Sequence, residues 1–144
     1  MGQIRWKLAS EVEGSDHKRY HDKGCMMNNP NIEIPSLRDM LAAEVRIQPY
    51  IHRTPVLTSS FINSLVGAEL FFKCENLQKA GAFKARGAVN AVFSLHDVQA
   101  AKGVATHSSG NHGTCLSYAA GRRGIPCTVV MPRTAPQAKK DAVR

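Results

Sequence analysis

The stretch Gly103-Val104-Ala105-Thr106-His107-Ser108-Ser109-Gly110-Asn111-His112-Gly113, with its continuation to Cys127-Thr128-Val129-Val130-Met131, decides the fold. Gly103 to Thr106 reads as a short strand and His107 to Gly110 as a loop. About Asn111 to Arg123 reads as a helix. Gly124-Ile125-Pro126 turns into a second strand, Cys127 to Met131, which Pro132 closes. Strand, helix and strand joined by short loops make a βαβ unit, in which parallel strands are linked by a crossover helix. In sheets of this kind, ligands bind beyond the carboxyl ends of the strands.

The flanking sequence continues the alternation. Leu37, Leu41, Val45 and Gln48 fall at helical spacing behind Pro35-Ser36, with Ser36 a candidate N-cap and Pro49 a stop. Thr54 to Leu57 reads as extended. Ser59 or Ser60 caps a brief helix through Leu65, ended by Gly67. Glu69 to Glu75, carrying Leu70, Phe71 and Phe72, is a strand candidate. After a Gly/Ala/Lys-rich loop comes a helix from about Lys84 to Leu95, and a last helix begins near Pro136. The expected class is α/β, an open parallel sheet of βαβ units over residues 34–144. Residues 1–33 are polar and read without an apolar period. They are expected to be a disordered extension, or a stretch ahead of a true start at Met26 or Met27.

Composition narrows the function classes. Hydrophobic residues make up 43% and charged residues 21% of the 144, the usage of an ordinary globular chain, which argues against a disordered or fibrous protein. No apolar run approaches the ~20 residues of a membrane span. Arg5 and Lys7 precede no apolar core, so no secretory signal is read. The cysteines, Cys25, Cys74, Cys115 and Cys127, have no C-x-x-C spacing, and reduced thiols in a cytoplasm are expected. The net charge is +8. Basic and acidic residues balance, five against five, up to Ile34, so 14 basic against 6 acidic residues carry the whole excess in the remaining 110. These charges are scattered and not interleaved with aromatics, so neither nucleic acid nor membrane is an expected partner. An anionic small molecule, or an acidic partner segment, accounts for the excess equally well.

Two loops leave the carboxyl ends of the predicted strands, and both are chemically rich. The first leads into Gly81-Ala82-Phe83-Lys84-Ala85-Arg86-Gly87-Ala88. Small flanking residues leave room for a bulky planar group beside Lys84, and Phe83 could cover one face of it. The neighbouring charge of Arg86 is expected to disfavour the ammonium form of Lys84, towards the neutral amine that imine chemistry requires. The plain alternative is a solvated lysine in a first helical turn. The second loop, Thr106 to Gly113, offers free helix N-terminal amides, the hydroxyls of Ser108 and Ser109, and the Asn111 amide, a set suited to a carboxylate or phosphate. Ser109 could act as an acid/base group, or merely cap the helix. His107 and His112 are five apart with no third ligand near, so no metal is expected. Neither a P-loop nor a G-x-S-x-G elbow is present.

Taken together, the two motifs give a resemblance. Thr54-Pro55 through Ser59, Leu70 to Glu75, Phe83-Lys84-Ala85-Arg86-Gly87, Ser108-Ser109-Gly110-Asn111-His112-Gly113 and Ile125-Pro126 to Ala135-Pro136 resemble the fold-type II pyridoxal-phosphate enzymes, the tryptophan synthase β-like fold. Within them the closest pattern is that of the serine/threonine dehydratases (threonine ammonia-lyases) and serine racemases. The cysteine synthases are less similar. The resemblance implies pyridoxal 5'-phosphate as cofactor, an amino-acid substrate, and a homo-oligomeric full-length enzyme. It assigns Lys84 as the imine-forming lysine that later moves protons at the substrate α-carbon. Phe83 packs beside the cofactor, and Asn111 bonds the ring oxygen. Ser108, Ser109, Gly110, Asn111 and His112 hold the substrate carboxylate, and Ser109 acts on the opposite face of the α-carbon in racemases. The expected activity is dehydration of L-serine or L-threonine to a 2-oxo acid and ammonia. Serine racemisation, or an inactive interaction or regulatory fragment, is the alternative. Two departures stand out. Ala80 and Ala82 occupy positions where many relatives have hydroxyls. The family's phosphate-binding glycine loop, the group that meets the pyridine nitrogen and the racemase cation carboxylates have no counterpart, so the 144 residues read as an N-terminal part of the catalytic fold, inactive alone.

Overall fold

A computed structural model describes residues 4–8 and 34–143. The core of the fold is a parallel sheet. β5 (Cys127–Met131) lies between β4 (Val104–His107) and β1 (Ile4–Leu8), parallel to both. Val104 is opposite Cys127 and His107 opposite Val130. α5 (Asn111–Arg123) connects β4 to β5, as the βαβ reading requires.

Side chains on β5 alternate in burial. Cys127, Val129 and Met131 are buried, while Thr128 and Val130 are half-buried, as expected of a strand covered more fully on one face. The buried face joins Cys115, Leu116, Ala119 and Ala120 of α5 and Ala85, Ala88, Val89 and Val92 of α3 (Lys84–Ser94) in one core. The alanines allow the two helices to approach closely. Arg123 ties the far ends together, donating to the carbonyls of Val92 and of Leu95 (2.8 Å) and pairing with Asp97 of α4 (Asp97–Ala100) at 3.0 Å. Tyr50 stacks on Phe93 with ring centroids 4.0 Å apart, and its carbonyl accepts from the Tyr118 hydroxyl at 2.5 Å.

The N-terminal elements form where their caps predict. α1 (Leu37–Ile47) starts at Ser36, whose Oγ accepts from the Asp39 amide while the Asp39 carboxylate accepts from the Ser36 amide at 2.8 Å. This reciprocal pair satisfies two otherwise unpartnered donors. α1 then tightens into a 3-10 turn over Gln48–Tyr50, with Pro49 in its first positions. α2 (Ser60–Val66) is capped by Ser59 and ends at Gly67. α6 (Gln137–Asp141) follows Pro136.

The expected strand over 69–75 is the main correction to the sequence reading. The strand expected over 69–75 is reduced to β3 (Phe72–Lys73), which pairs antiparallel with β2 (Val56–Leu57) and stands apart from the parallel sheet. Beyond β3 the chain enters 3-10 turns over Glu75–Leu77 and Lys79–Gly81, so it bends away instead of extending. Leu37, Leu41 and Val45, at helical spacing, are exposed on α1, and only Ile47 of that helix is buried. Within residues 1–33, Ile4, Trp6 and Leu8 alternate with Arg5 and Lys7, and the backbone of this stretch is β1. The rest of residues 1–33 lies outside the described residues. Among the described residues, Cys74, Cys115 and Cys127 are free thiols, and no helix is long and apolar enough to cross a membrane.

Candidate functional site

Lys84 opens α3. The loop before it turns through two consecutive left-handed residues, Ala80 (φ 56°) and Gly81 (φ 65°), and then extends through buried Ala82. Glycine accepts that conformation freely. Alanine in it costs ~1 kcal/mol, so the neighbouring contacts must enforce it. Gln78, itself 4% exposed, is the main restraint. Its Oε1 accepts from the His52 and Lys79 amides, each at 2.8 Å, and its Nε2 donates to the His52 carbonyl at 2.8 Å. Phe83 takes the N-cap position of α3 without a side-chain cap, and both Phe83 and Lys84 face solvent.

Arg86, two residues on, is not the free cation that the sequence suggested. It donates from Nε to Glu75 Oε2 at 2.9 Å and from Nη2 to Oε1 at 2.7 Å, a two-point ion pair. Thr54, also buried, donates to the same carboxylate at 2.6 Å, and the Lys73 ammonium donates to the Thr54 carbonyl at 2.5 Å. The Arg86 hydrogen bond, aided by Thr54 and by the charges of Arg86 and Lys73, outweighs burial and holds the Glu75 carboxyl down at about 2. The Arg86 guanidinium is stabilised in turn. Glu75 therefore offsets the positive charge that was expected to act on Lys84. The network instead ties residues 52–54, 73–78 and the first turn of α3 into one frame. Sequence reading missed Thr54, Glu75 and Gln78. Burial of a polar side chain is what marks Thr54 and Gln78, and burial is not visible in residue order.

The second loop leaves β4 at His107. The Ser108 amide donates to the Val130 carbonyl at 2.9 Å, continuing the strand pairing by one residue, and the Ser108 Oγ accepts from the Gly110 amide at 3.2 Å. Gly110 stands at the N-cap of α5, and no side chain caps that end. Ser109 is exposed and does not serve as the cap. Asn111 and His112 are exposed, while Ser108 and Gly110 are half-buried. Gly113 is buried for a steric reason. A Cβ there would lie 2.9 Å from the Ser108 carbonyl oxygen and 3.0 Å from Val129 Cγ1. Only glycine lets the first turn of α5 lie against the serine loop and β5.

The two loops meet. The Lys84 charge acts on Cys115, one turn inside α5 from Asn111. Burial dominates that thiol and pushes its titration upward, with Lys84 opposing. α3 and α5 share one buried core, and Lys84 lies within electrostatic reach of Cys115 in the second turn of α5. The result is an open wall: an amine, an aromatic ring, an amide side chain and helix-end amides, all reachable from solvent. A cleft of about 420 Å³ is lined by Ala80, Thr114, Ser117 and Tyr118 and includes neither Lys84 nor Ser109.

Comparison with known proteins gives the wall its context. Residues 47–144 match the family described as pyridoxal-phosphate dependent enzyme. The β-hydroxyaspartate dehydratase of Paracoccus denitrificans is 73% identical over 111 residues, which cover 77% of this chain and 35% of that protein. The serine racemase of Dictyostelium discoideum is 58% identical over 108 residues, covering 75% and 33%. Its crystal structure superposes with a TM-score of 0.73, covering 75% of this chain and 36% of that one. The maize serine racemase superposes with a TM-score of 0.70 at 56% identity, covering 72% and 32%. The chain thus spans about a third of the length of the relatives it matches. A family match over two thirds of the sequence, together with high identity and a shared βαβ body, shows that this chain belongs to the pyridoxal-phosphate dependent enzymes of fold type II.

Proposed function

We propose that this chain provides the lysine-bearing wall of a dehydratase acting on a β-hydroxy α-amino acid. The reading is carried by exposed Lys84 at the start of α3, whose charge reaches Cys115 in the second turn of α5, together with the uncapped N-terminus of that helix. The residues present fit pyridoxal 5'-phosphate on this side. Lys84 offers a reachable amine, Phe83 an open ring face, and Asn111 a free amide at the helix end. Bound there, the cofactor supplies the electron sink that makes a substrate α-proton removable.

The chain's own residues supply the remaining steps. The amides at the start of α5, with the Ser108 and Ser109 hydroxyls, take the substrate carboxylate, since a helix N-terminus favours an anion. Lys84 takes the proton from the α-carbon as general base. The α-proton and the β-hydroxyl leave together as water. The enamine so released hydrolyses to a 2-oxo acid and ammonia. L-serine and L-threonine fit this chemistry. So does β-hydroxyaspartate, which names the relative at 73% identity and favours dehydration as the activity. Serine racemisation, named in the relatives at 58% and 55% identity, is the second reading. It would use Ser109 to return a proton on the opposite face of the α-carbon.

The test is covalent trapping. Incubation of the chain with pyridoxal phosphate, borohydride reduction and peptide mapping are expected to place the pyridoxyl group on Lys84. A group found on Lys73 or Lys79 instead, or equal labelling of Lys84→Arg, overturns the assignment. With only one wall of the site in the chain, no release of ammonia from serine, threonine or β-hydroxyaspartate is expected from it alone. Release that scales with cofactor and vanishes in Lys84→Ala would refute that expectation.

A further inference from the structure

Gln78 joins the 3-10 turns Glu75–Leu77 and Lys79–Gly81, and its own backbone there is extended (φ -74°, ψ 162°). Its carbonyl accepts from the Gly81 amide at 2.8 Å, which closes the second turn. Its buried carboxamide meets the backbone of His52. Oε1 accepts from the His52 amide and Nε2 donates to the His52 carbonyl, the reciprocal pair that a neighbouring strand makes with its main chain. The same carbonyl also accepts a longer bond, 3.5 Å, from Arg86 Nη2. Lys84 therefore lies in sequence between two side chains that share one anchor, Gln78 before it and Arg86 after it. The turn between Gln78 and Lys84 also holds Ala80 at φ 56°, the one non-glycine residue with a positive φ among the described residues. Backbone in so sparsely populated a region persists only where its surroundings enforce it, and such strain concentrates at functional positions.

We propose that Gln78 is a positioning residue for Lys84: by pinning the 79–81 turn to the His52 backbone it fixes where the lysine leaves the chain, and so makes Lys84 react with pyridoxal phosphate in preference to other exposed lysines. The role rests on the reading of Lys84 as the cofactor lysine. Exposure does not supply the preference, because Lys84 and Lys102 are both exposed. Among the described residues no hydrogen bond or ion pair holds the Lys84 side chain, so its placement comes from the backbone beneath it. A reacting group has to be held to within about 0.5 Å of its productive geometry, and its supporting contacts do that. Glutamine suits the task at a buried position, since one uncharged group supplies both the acceptor and the donor. Methionine fills a similar volume but makes none of the three bonds and leaves the His52 and Lys79 amides without that acceptor. Glutamate keeps the two accepted bonds but, ionised, has no proton for the His52 carbonyl.

The experiment uses the full chain and its Gln78→Met, Gln78→Glu and Val92→Ala variants. Val92→Ala removes buried atoms near the far end of α3 and is a destabilised control outside the turn. Hydrogen exchange is read at the Ala85 and Arg86 amides, which donate to the Ala82 and Phe83 carbonyls, and compared with Ala119 and Ala120 of α5. Each chain is then treated with pyridoxal phosphate and borohydride, and the pyridoxyl yield at Lys84 is divided by that at Lys102. Gln78→Met should speed exchange at Ala85 and Arg86 at least tenfold with α5 unchanged, and lower the labelling ratio at least fivefold. Gln78→Glu should fall between Gln78→Met and wild type, and Val92→Ala should keep the wild-type ratio. Unchanged exchange at Ala85 and Arg86 in Gln78→Met, a ratio unmoved when that exchange rises, or an equal fall of the ratio in Val92→Ala overturns the proposal. If Gln78→Met opens α5 as well, Gln78→Glu against Val92→Ala carries the test, and an unmoved ratio in Gln78→Glu overturns the proposal. A ratio near one in the unsubstituted chain refutes Lys84 as the cofactor lysine, and the positioning role falls with it. The two failures are distinct, because only that one shows without any substitution.

Discussion

Residues 82–143 and residues 34–77 belong to one chain but play different physical parts. The first region has a core. Alanine-rich α3 and α5 pack on β5, and Ala85, Val89, Cys115 and Val129 are fully sealed. The second region has caps, turns and polar clamps but adds only Ile47 as a fully buried apolar residue, with Tyr50 and Ile51 packed partly buried against the core. It is held by hydrogen bonds of Gln78, Thr54 and Glu75 and by the Arg86 ion pair. Apolar burial stabilises by volume filled, so the body should respond to lost atoms. The arm is held by a few directional polar contacts and should respond to charge and pH.

The largest effect is expected in the body. Met131→Ala, at a side chain 2% exposed, should cost ~2–5 kcal/mol in denaturant unfolding. An effect below ~1 kcal/mol would mean that β5 is not the centre of the core. Gly113→Ala is next, at ~1–3 kcal/mol, because its Cβ meets the Ser108 carbonyl oxygen as well as the buried Val129 side chain. It should also loosen the serine loop, which proton exchange at the Ser108 amide would report.

In the arm, Glu75→Gln should cost ~1 kcal/mol at neutral pH, the range of a partly exposed ion pair. The sign with pH is definite. Glu75 titrates at about 2 in the folded chain against an ordinary 4.5, so its contribution is fully present above 4.5 and is lost as pH falls towards 2. The stability gap between wild type and Glu75→Gln should therefore close across that interval. A gap that persists unchanged at pH 2 breaks the assignment. The smallest effect is expected at Phe61→Ser, within ~0.5 kcal/mol for the chain alone, because that ring is exposed. A cost of ~2 kcal/mol there would show that the arm has a core of its own.

Local signals were legible in residue order. The Ser36 and Ser59 caps, the Pro49 stop, the Asn111–Arg123 helix and the Cys127–Met131 strand all follow from the nearest few residues, because capping and strand alternation are short-range physics. The two motif loops, and through them the family, were legible for the same reason. Other features were not. Glu69 to Glu75 has strand composition, yet it keeps only two paired residues because pairing depends on a neighbour that residue order does not place. The α1 stripe has helical period, yet period says which residues share a face and not what that face meets.

The sequence by itself determined the βαβ body, the class of cofactor and the identity of the lysine turn and serine loop, since each is written in contiguous residues. Only the tertiary structure decided that Arg86 is paired with Glu75, that the α5 end is left without a side-chain cap, and that the arm's apolar side chains face outward. Those facts depend on residues more than ten positions apart meeting or failing to meet. Coulomb pairing, burial and steric fit act through space, and a linear order of residues does not contain those distances.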